Sequence, residues 1–258
     1  MTDPSTPQPK RRSALVPATV AVVAAHVAVI GFLASRPAPD VSAGRAAPSS
    51  TATGPAAVVE TPSAEAPTTD PVIEMLKGLA RRTPGDPMAR GKADAPVVLI
   101  SYSEFQCPFC GRFARDTEPA LISKYVDAGV LRIEWRDFPY LGDESTTAAV
   151  AGRAAAAQGR FWQFHDALYA DQQPPNSGKL TTAFLTEVAR TAGLDTARFS
   201  KDLLDTRLRD SVEKDFAEGQ RIGITGTPAF LINGTPIMGA QPTEVFERAI
   251  EQARAAAP

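Results

Sequence analysis

The first 70 residues divide into three stretches of contrasting polarity. Residues 1–12 are polar and end in three consecutive basic residues, and residues 13–35 then form an apolar run without a charged side chain. A helix of about 20 apolar residues spans the hydrocarbon core of a membrane, and basic residues before it favour a cytoplasmic N-terminus. Residues 36–70 are rich in Pro, Ala, Ser and Thr, a composition that buries too little apolar surface to fold. We therefore predict a cytoplasmic tail, a transmembrane anchor and an extended linker, in that order.

A cleaved signal peptide is the alternative interpretation of residues 13–35, because it also combines a basic start with an apolar stretch. The run is unusually long for a signal peptide, and a cleavage site after Ala34 would have Phe32 and Leu33 beside it instead of small residues. We favour the anchor, which predicts a single-pass protein of the cell membrane. Both interpretations place the rest of the chain outside the cytoplasm.

From residue 71 onwards the pattern becomes that of a folded domain. Residues 97–102 form a compact apolar run, which is typical of a buried strand. A helical pattern follows over residues 108–128, in which Pro119 should introduce a kink. Over residues 131–136 apolar and charged side chains alternate. This alternation predicts a strand with one exposed face.

Most of the remaining chain has helical periodicity. Residues 143–220 contain an alanine-rich run and several amphipathic segments, which predict a helical insertion. Two short apolar runs then flank Asn233-Gly234, a strong hairpin signal, and Thr243 can cap a last helix. The order is strand, helix, strand, helical block, hairpin and helix. Without the helical block this is the order of a thioredoxin-like fold, so we predict an α/β domain of that class over residues 71–258.

Composition and charge narrow the possible functions. The formal net charge is −2, so the overall charge gives no reason to expect nucleic-acid binding. The chain has two cysteines and two histidines. Both cysteines belong to the tetrapeptide Cys107-Pro108-Phe109-Cys110, which leaves none for a structural disulfide framework.

A Cys-X-X-Cys motif at the junction of a strand and a helix is typical of a redox pair. The unpaired N–H groups and the positive dipole end of the helix favour the thiolate form of Cys107. Pro108 suits the first helical position, where no N–H group is required. Cys110 lies one turn further along the helix and can close a disulfide with Cys107. We therefore predict that Cys107 is the exposed nucleophile and Cys110 the resolving thiol.

Two other uses of these residues are less well supported. Zinc sites share the cysteine spacing but need a second pair of ligands, and His26 and His165 lack the usual spacing for one. We expect no metal and no other cofactor. A Cys-His hydrolase would need His165 beside Cys107 with an orienting partner, and we expect a structural or surface histidine instead.

Residues 101–110, with the sequence Ser-Tyr-Ser-Glu-Phe-Gln-Cys-Pro-Phe-Cys, and residues 226–230, Gly-Thr-Pro-Ala-Phe, resemble the DsbA-like branch of the thioredoxin superfamily. The resemblance covers residues 96–249, including the helical insertion. It implies that Pro228 is a cis-proline beside the redox pair and that Thr227 presents backbone groups to an extended substrate peptide. It also implies thiol:disulfide exchange with unfolded or partly folded exported proteins, and a membrane redox partner that recycles the pair.

Phe109 departs from the family pattern. Strong oxidants of the family often carry a histidine at this position, which can stabilise the thiolate, and phenylalanine cannot supply that charge. Disulfide formation is the leading hypothesis, a reductase or isomerase stays open, and a redox-inactive binding module or chaperone is a third possibility. We assign Pro108 and Phe109, together with Thr227 and Pro228, to substrate binding.

Glu104 is a further candidate for catalysis. It lies three residues before Cys107 and can carry a proton to or from Cys110 during exchange. The alternative is a solvated carboxylate at the end of a strand.

Overall fold

The computed structural model of the protein describes residues 70–257. The predicted tail over residues 1–12, the anchor over 13–35 and the linker up to residue 69 lie outside the described residues. Within the described part, no helix is both long enough and apolar enough to cross a membrane.

Five strands form one mixed sheet within the described residues. They are β1 (Ala89–Arg90), β2 (Val97–Ser103), β3 (Leu131–Asp137), β4 (Ala229–Ile232) and β5 (Thr235–Met238). Their order across the sheet is β1-β3-β2-β4-β5. The central strands β2 and β3 are parallel, and the other neighbours are antiparallel. This arrangement confirms the predicted α/β class and the thioredoxin-like order of strands.

Helices connect and cover the sheet. Helix α1 (Pro71–Lys77) precedes it, and α9 (Thr243–Ala255) follows it. The connection from β2 to β3 consists of α2 (Pro108–Arg112), a π-helical turn (Phe113–Thr117), α3 (Glu118–Leu121) and a second π-helical turn (Ile122–Val126). The insertion between β3 and β4 contains α4 (Asp143–Ala156), α5 (Phe161–Ala170), α6 (Thr182–Thr191), α7 (Thr196–Asp202) and α8 (Thr206–Arg221).

Local sequence signals act as predicted at two of three positions. Pro119 lies at the start of α3, directly after a π-helical turn, because its nitrogen has no hydrogen for a regular helical bond. Asn233 and Gly234 have φ angles of 43° and 88°, the left-handed pair that a two-residue hairpin turn requires. The predicted cap at Thr243 is wrong. Thr243 is already the first residue of α9, and its hydroxyl donates to the hydroxyl of Thr117 at 3.4 Å.

Strand β2 is buried on both faces, as its continuous apolar run predicts. On one face Val97 and Leu99 pack with apolar residues of the β2–β3 connection, β4 and α9. On the other face Val98 and Ile100 pack with α1 and with Phe138. The two layers fix the strand that leads into the cysteine motif.

Strand β3 is buried along its whole length, so the prediction of one exposed face is wrong. Arg132, Glu134 and Arg136 are at most 2% exposed. Glu134 accepts hydrogen bonds from Arg132 at 2.8 Å and Arg136 at 2.9 Å, and from the backbone N–H groups of Arg81 at 3.0 Å and Arg82 at 2.8 Å. The segment after α1 covers this face, and paired charges replace the expected water.

Candidate functional site

The end of β2 and the start of α2 bring the two cysteines together. Cys107 occupies the position that precedes the first turn of α2, and Pro108 is the first helical residue, as predicted. Cys110 lies one turn further on, where its thiol can donate a hydrogen bond to the Cys107 sulfur. Both cysteines are free thiols in this structure. A disulfide between them needs no rearrangement of other elements, since both sit on one short helix.

Cys107 is only 2% exposed, so the prediction of an exposed nucleophile is wrong. The loop before β4 covers it, because the Cys107 thiol donates a hydrogen bond to the carbonyl oxygen of Thr227 at 3.3 Å. Cys110 is also buried. The loop that contains Thr227 therefore covers the Cys107 sulfur.

The environment of Cys107 favours its thiolate. The pKa of Cys107 is lowered to about 6, mainly by a hydrogen bond from the Cys110 side chain. Burial opposes this change. Thr227 and the backbone N–H groups of Cys110 and Phe109 lower the pKa further. Burial raises the pKa of Cys110 well above its ordinary value, and the neighbouring Cys107 adds to the effect. The Cys107 thiol is therefore much more acidic than the Cys110 thiol. Such a difference suits Cys107 as the nucleophile or leaving group and Cys110 as the buried resolving thiol.

The loop that faces Cys107 contains the cis peptide implied by the family resemblance. The bond between Thr227 and Pro228 is cis. The backbone N–H of Gly239 donates to the Pro228 carbonyl at 2.8 Å and ties the loop to the end of β5. Strand β4 begins directly after Pro228 and pairs with β2, so the central sheet sets the position of the loop opposite the cysteines.

Glu104 is buried, not solvated at the end of its strand. The residue is 2% exposed, and neither carboxylate oxygen has a hydrogen-bond partner among residues 70–257. Burial raises the pKa of Glu104 to about 8; the neighbouring Ser145 hydroxyl opposes this rise, and the negative charge of Cys107 adds to it. At neutral pH the side chain is mainly the neutral acid, which can donate a proton.

An exposed apolar rim lies beside the buried sulfur. Pro108 and Phe109 are exposed at the start of α2. Tyr140 and Met238, which are not among the predicted site residues, are also exposed. Burial raises the pKa of Tyr140, and the nearby charge of Cys107 raises it further. Met238 in β5 lies opposite Ala229 in β4, the residue that follows the cis-proline. Their positions follow from the fold, so no local sequence signal marks them.

His165 lies in an aromatic cluster, as a structural histidine does. Its Nδ1 lies 2.7 Å from Asp166 Oδ1, and its Nε2 lies 3.9 Å from Glu118 Oε2. By spacing, these three side chains can hold a metal ion. Arg90 already binds both carboxylate oxygens of Asp166, at 3.0 and 2.9 Å. The nearest polar contacts of His165 are therefore carboxylates and not the cysteine pair.

Comparison with known proteins identifies the same class. A family model for thioredoxin matches residues 83–252. The probable disulfide bond formation protein D of Bacillus anthracis is 30% identical over 148 residues, which are 56% of this chain and 68% of that protein. The Na⁺/H⁺ antiporter NhaA 3 of Salinispora tropica is 35% identical over 170 residues, which are 65% of this chain but 25% of that protein. The chain thus spans only a quarter of this antiporter.

Solved structures show the same relationship. The chain superimposes on oxidised BdbD from Bacillus subtilis with a TM-score of 0.62 and 25% identity, covering 67% of this chain and 94% of BdbD. The superposition and the family match agree with the thioredoxin-like fold described above. The chain therefore belongs to the thioredoxin family, within its DsbA-like branch of thiol:disulfide oxidoreductases.

Proposed function

We propose that this protein forms disulfides in exported proteins, with Cys107 and Cys110 as its redox pair. The observation that carries the proposal is the position of Cys107 at the start of α2, opposite the cis-proline loop, where the Cys110 thiol and backbone N–H groups face its sulfur and lower its pKa. A stable thiolate favours the reduced pair, so the disulfide form is a better oxidant.

The proposed reaction is two successive thiol–disulfide exchanges. A client thiolate attacks the Cys107 sulfur of the oxidised pair, the bond to Cys110 breaks, and Cys110 leaves with the electron pair. A second client thiolate then attacks the client sulfur of the mixed disulfide, and Cys107 leaves as its stable thiolate. The client loses two electrons and the cysteine pair gains them. We propose that a membrane redox partner removes those electrons and regenerates the disulfide.

Glu104 supports the first exchange by supplying a proton. Cys110 leaves as a thiolate in a site whose burial strongly disfavours the charge. Glu104 is buried close enough to Cys107 for their charges to interact and is mainly neutral below a pH of about 8, so it can pass a proton through water towards the leaving sulfur. The resulting carboxylate recovers its proton from solvent.

We assign client binding to the apolar rim and the cis-proline loop. The Thr227 backbone faces the Cys107 sulfur, and Pro108, Phe109 and Tyr140 are exposed around it. An unfolded client offers both apolar side chains and an unpaired backbone, which such a surface can bind.

A reductase or isomerase is the second candidate, and one observation favours it. Phe109 adds no positive charge beside Cys107, so the thiolate is stabilised less than a histidine would allow. A redox titration of the full-length protein against glutathione distinguishes the directions. A potential above about −200 mV supports the oxidase, and one near the value of about −270 mV for thioredoxin supports the reductase.

We also propose that the catalytic domain works outside the cytoplasm, anchored by residues 13–35. Protease added to intact protoplasts should remove the domain. Protection in intact protoplasts, with cleavage after lysis, would reverse the proposed orientation.

Trapping of client adducts tests the enzymatic function. Cys110→Ser cannot form the Cys107–Cys110 disulfide, but its Cys107 thiolate can attack a client disulfide, with one client sulfur leaving as a thiolate. Without the Cys110 thiol to resolve them, these mixed disulfides should accumulate on non-reducing gels of whole cells. Cys107→Ser is the matched control and should form none. Adducts with Cys107→Ser but not with Cys110→Ser would overturn the assigned roles. Adducts with neither would favour a redox-inactive binding module.

A further inference from the structure

Gln172 links the helical insertion to the backbone of the cysteine motif. It follows the end of α5 by two residues and lies 65 positions from Cys107 in the chain. Its Nε2 donates hydrogen bonds to the carbonyl oxygens of Phe105 at 3.0 Å and Cys107 at 2.9 Å. A single amide group therefore holds two carbonyls of the turn between β2 and α2.

The second carbonyl is the one on which α2 begins. The backbone N–H of Gly111 donates to the Cys107 carbonyl at 3.1 Å, which is the first hydrogen bond of the helix. With Gln172, that oxygen accepts two hydrogen bonds, the number its two lone pairs allow. The amide thus fixes the peptide from which the helix starts, and with it the direction of the following N–H groups.

The orientation of the Gln172 amide is set by its other end. Arg115 Nη1 donates to the Tyr169 carbonyl at 2.7 Å and lies 3.4 Å from Gln172 Oε1, so the amide oxygen faces a cation and the amide nitrogen faces the two carbonyls. The reverse orientation would place the NH₂ group against the guanidinium and an oxygen against two carbonyl oxygens. Both changes are unfavourable.

Gly111 leaves the space that this arrangement requires. Its backbone is helical, and a Cβ atom there would lie 2.1 Å from Gln172 Oε1. Glycine inside a helix is destabilising relative to alanine, so Gly111 does not favour the helix that contains it. The close approach of the amide accounts for it.

We propose that Gln172 is a positioning residue of the redox site, which holds the start of α2 so that the backbone N–H groups of Phe109 and Cys110 face the Cys107 sulfur. It touches neither sulfur, and acts through the backbone. Its importance for exchange rests on the proposed function, whereas its effect on Cys107 acidity does not.

The test compares two neighbouring glutamines in the full-length protein. Gln172→Met keeps the length of the side chain but removes its donor and adds no charge. Gln173→Met is the matched control, because within residues 70–257 the Gln173 amide donates hydrogen bonds to Asp171 alone. The readout is the pH profile of iodoacetamide reaction with Cys107, in a Cys110→Ser background so that one thiol reacts. We expect Gln172→Met to raise the Cys107 pKa by about half a unit to one unit, a three- to tenfold change in the thiolate equilibrium, and Gln173→Met to leave it unchanged.

Gly111→Ala tests the same contact from the helix side. In a protein that retains Gln172, the added methyl group should displace the Gln172 amide and raise the Cys107 pKa. In a protein that already carries Gln172→Met, Gly111→Ala should raise the Cys107 pKa little further. Equal pKa values in all folded variants would overturn the proposal, as would additive effects of the two changes. If Gln172→Met does not fold, the Gly111→Ala result decides. If the variants show these pKa shifts but the wild-type protein oxidises no client, the proposed function is refuted and the role of Gln172 still holds.

Discussion

The carbonyl oxygen of Thr227 lies 3.3 Å from the sulfur of Cys107, although 120 positions separate the two residues in the chain. The contact depends on β2 and β4 being neighbours, since one strand leads into the cysteine motif and the other follows the cis-proline. It covers the reactive sulfur with backbone. A client that binds in an extended form beside Thr227 would therefore meet the sulfur and a backbone edge together.

The acidity of Cys107 should depend on Cys110 more than on any other single group. Cys110→Ala removes the hydrogen bond that contributes most to the low pKa of about 6. We expect the pKa to move towards the free-thiol value of about 8.5, with a several-fold slower alkylation of Cys107 at pH 7. Cys110→Ser retains an O–H donor and should have a smaller effect. Equal rates for the alanine and serine variants would contradict the assignment.

Glu104 should make the stability of the domain depend on pH. Its pKa is about 8 in the folded protein because it is buried, against an ordinary value near 4.5. Between these values the unfolded chain loses the proton while the folded protein keeps it, so the free energy of unfolding falls as pH rises. A shift of this size corresponds to about 3 to 5 kcal/mol across the window.

Glu104→Gln removes this titration. The free energy of unfolding of the variant minus that of the wild type should therefore increase as the pH rises from 5 to 8. Urea unfolding of the reduced proteins measures this difference. A difference that stays constant with pH would show that Glu104 is ionised in the folded state.

The class of fold and the position of the cysteine motif between a strand and a helix could be predicted from the sequence, but the surroundings of the Cys107 sulfur could not. Two cysteines in one motif and an alternation of strand and helix patterns identify the class. The main cause of the Cys107 acidity is the Cys110 side chain, with the helix N–H groups contributing less. Which group dominates depends on distances of a few tenths of an ångström, and these are not encoded in residue spacing.

The burial of charged residues was the hardest feature to predict, because segments that are distant in the sequence cover them. The alternation in β3 fits an exposed face equally well, because only the fold brings Arg81 and Arg82 onto Glu134. Glu104 presented the same difficulty, since a carboxylate after a strand is ordinarily solvated. Gln172 has no motif of its own, and its role follows only from the placement of the helical insertion.

Glu134 should be essential for stability because two buried arginines depend on it. Burial opposes its ionisation, but hydrogen bonds from Arg132, the Arg81 backbone and Arg136 outweigh burial and lower its pKa to about 2. Glu134→Gln removes the carboxylate that pairs with Arg132 and one of two that pair with Arg136, whose other partner is Glu218 at 3.3 Å. The variant should lose about 3 to 5 kcal/mol of stability in urea unfolding at pH 7. The wild-type contribution is present above pH 4.5 and is lost as the pH falls towards 2.

An exposed ion pair provides the control for Glu134. Glu187 and Arg190 form a pair on the surface of α6, and Glu187→Gln should cost less than about 1 kcal/mol. Similar losses for both variants would show that burial does not strengthen the β3 pairs.

Phe109 offers the most direct control over the redox potential. Its ring is 52% exposed, with the Arg112 guanidinium 5.1 Å from the ring centroid, so replacing it should leave the core intact. Phe109→His places an imidazole two residues after Cys107, where its protonated form stabilises the thiolate. A Cys107 pKa lower by one unit makes the disulfide more oxidising by about 30 mV. The pKa and the potential should be measured on the same samples, with Phe109→Leu as the uncharged control. If histidine and leucine give the same potential, position 109 does not set the poise of this enzyme, and the missing histidine is no longer an argument for the reductase.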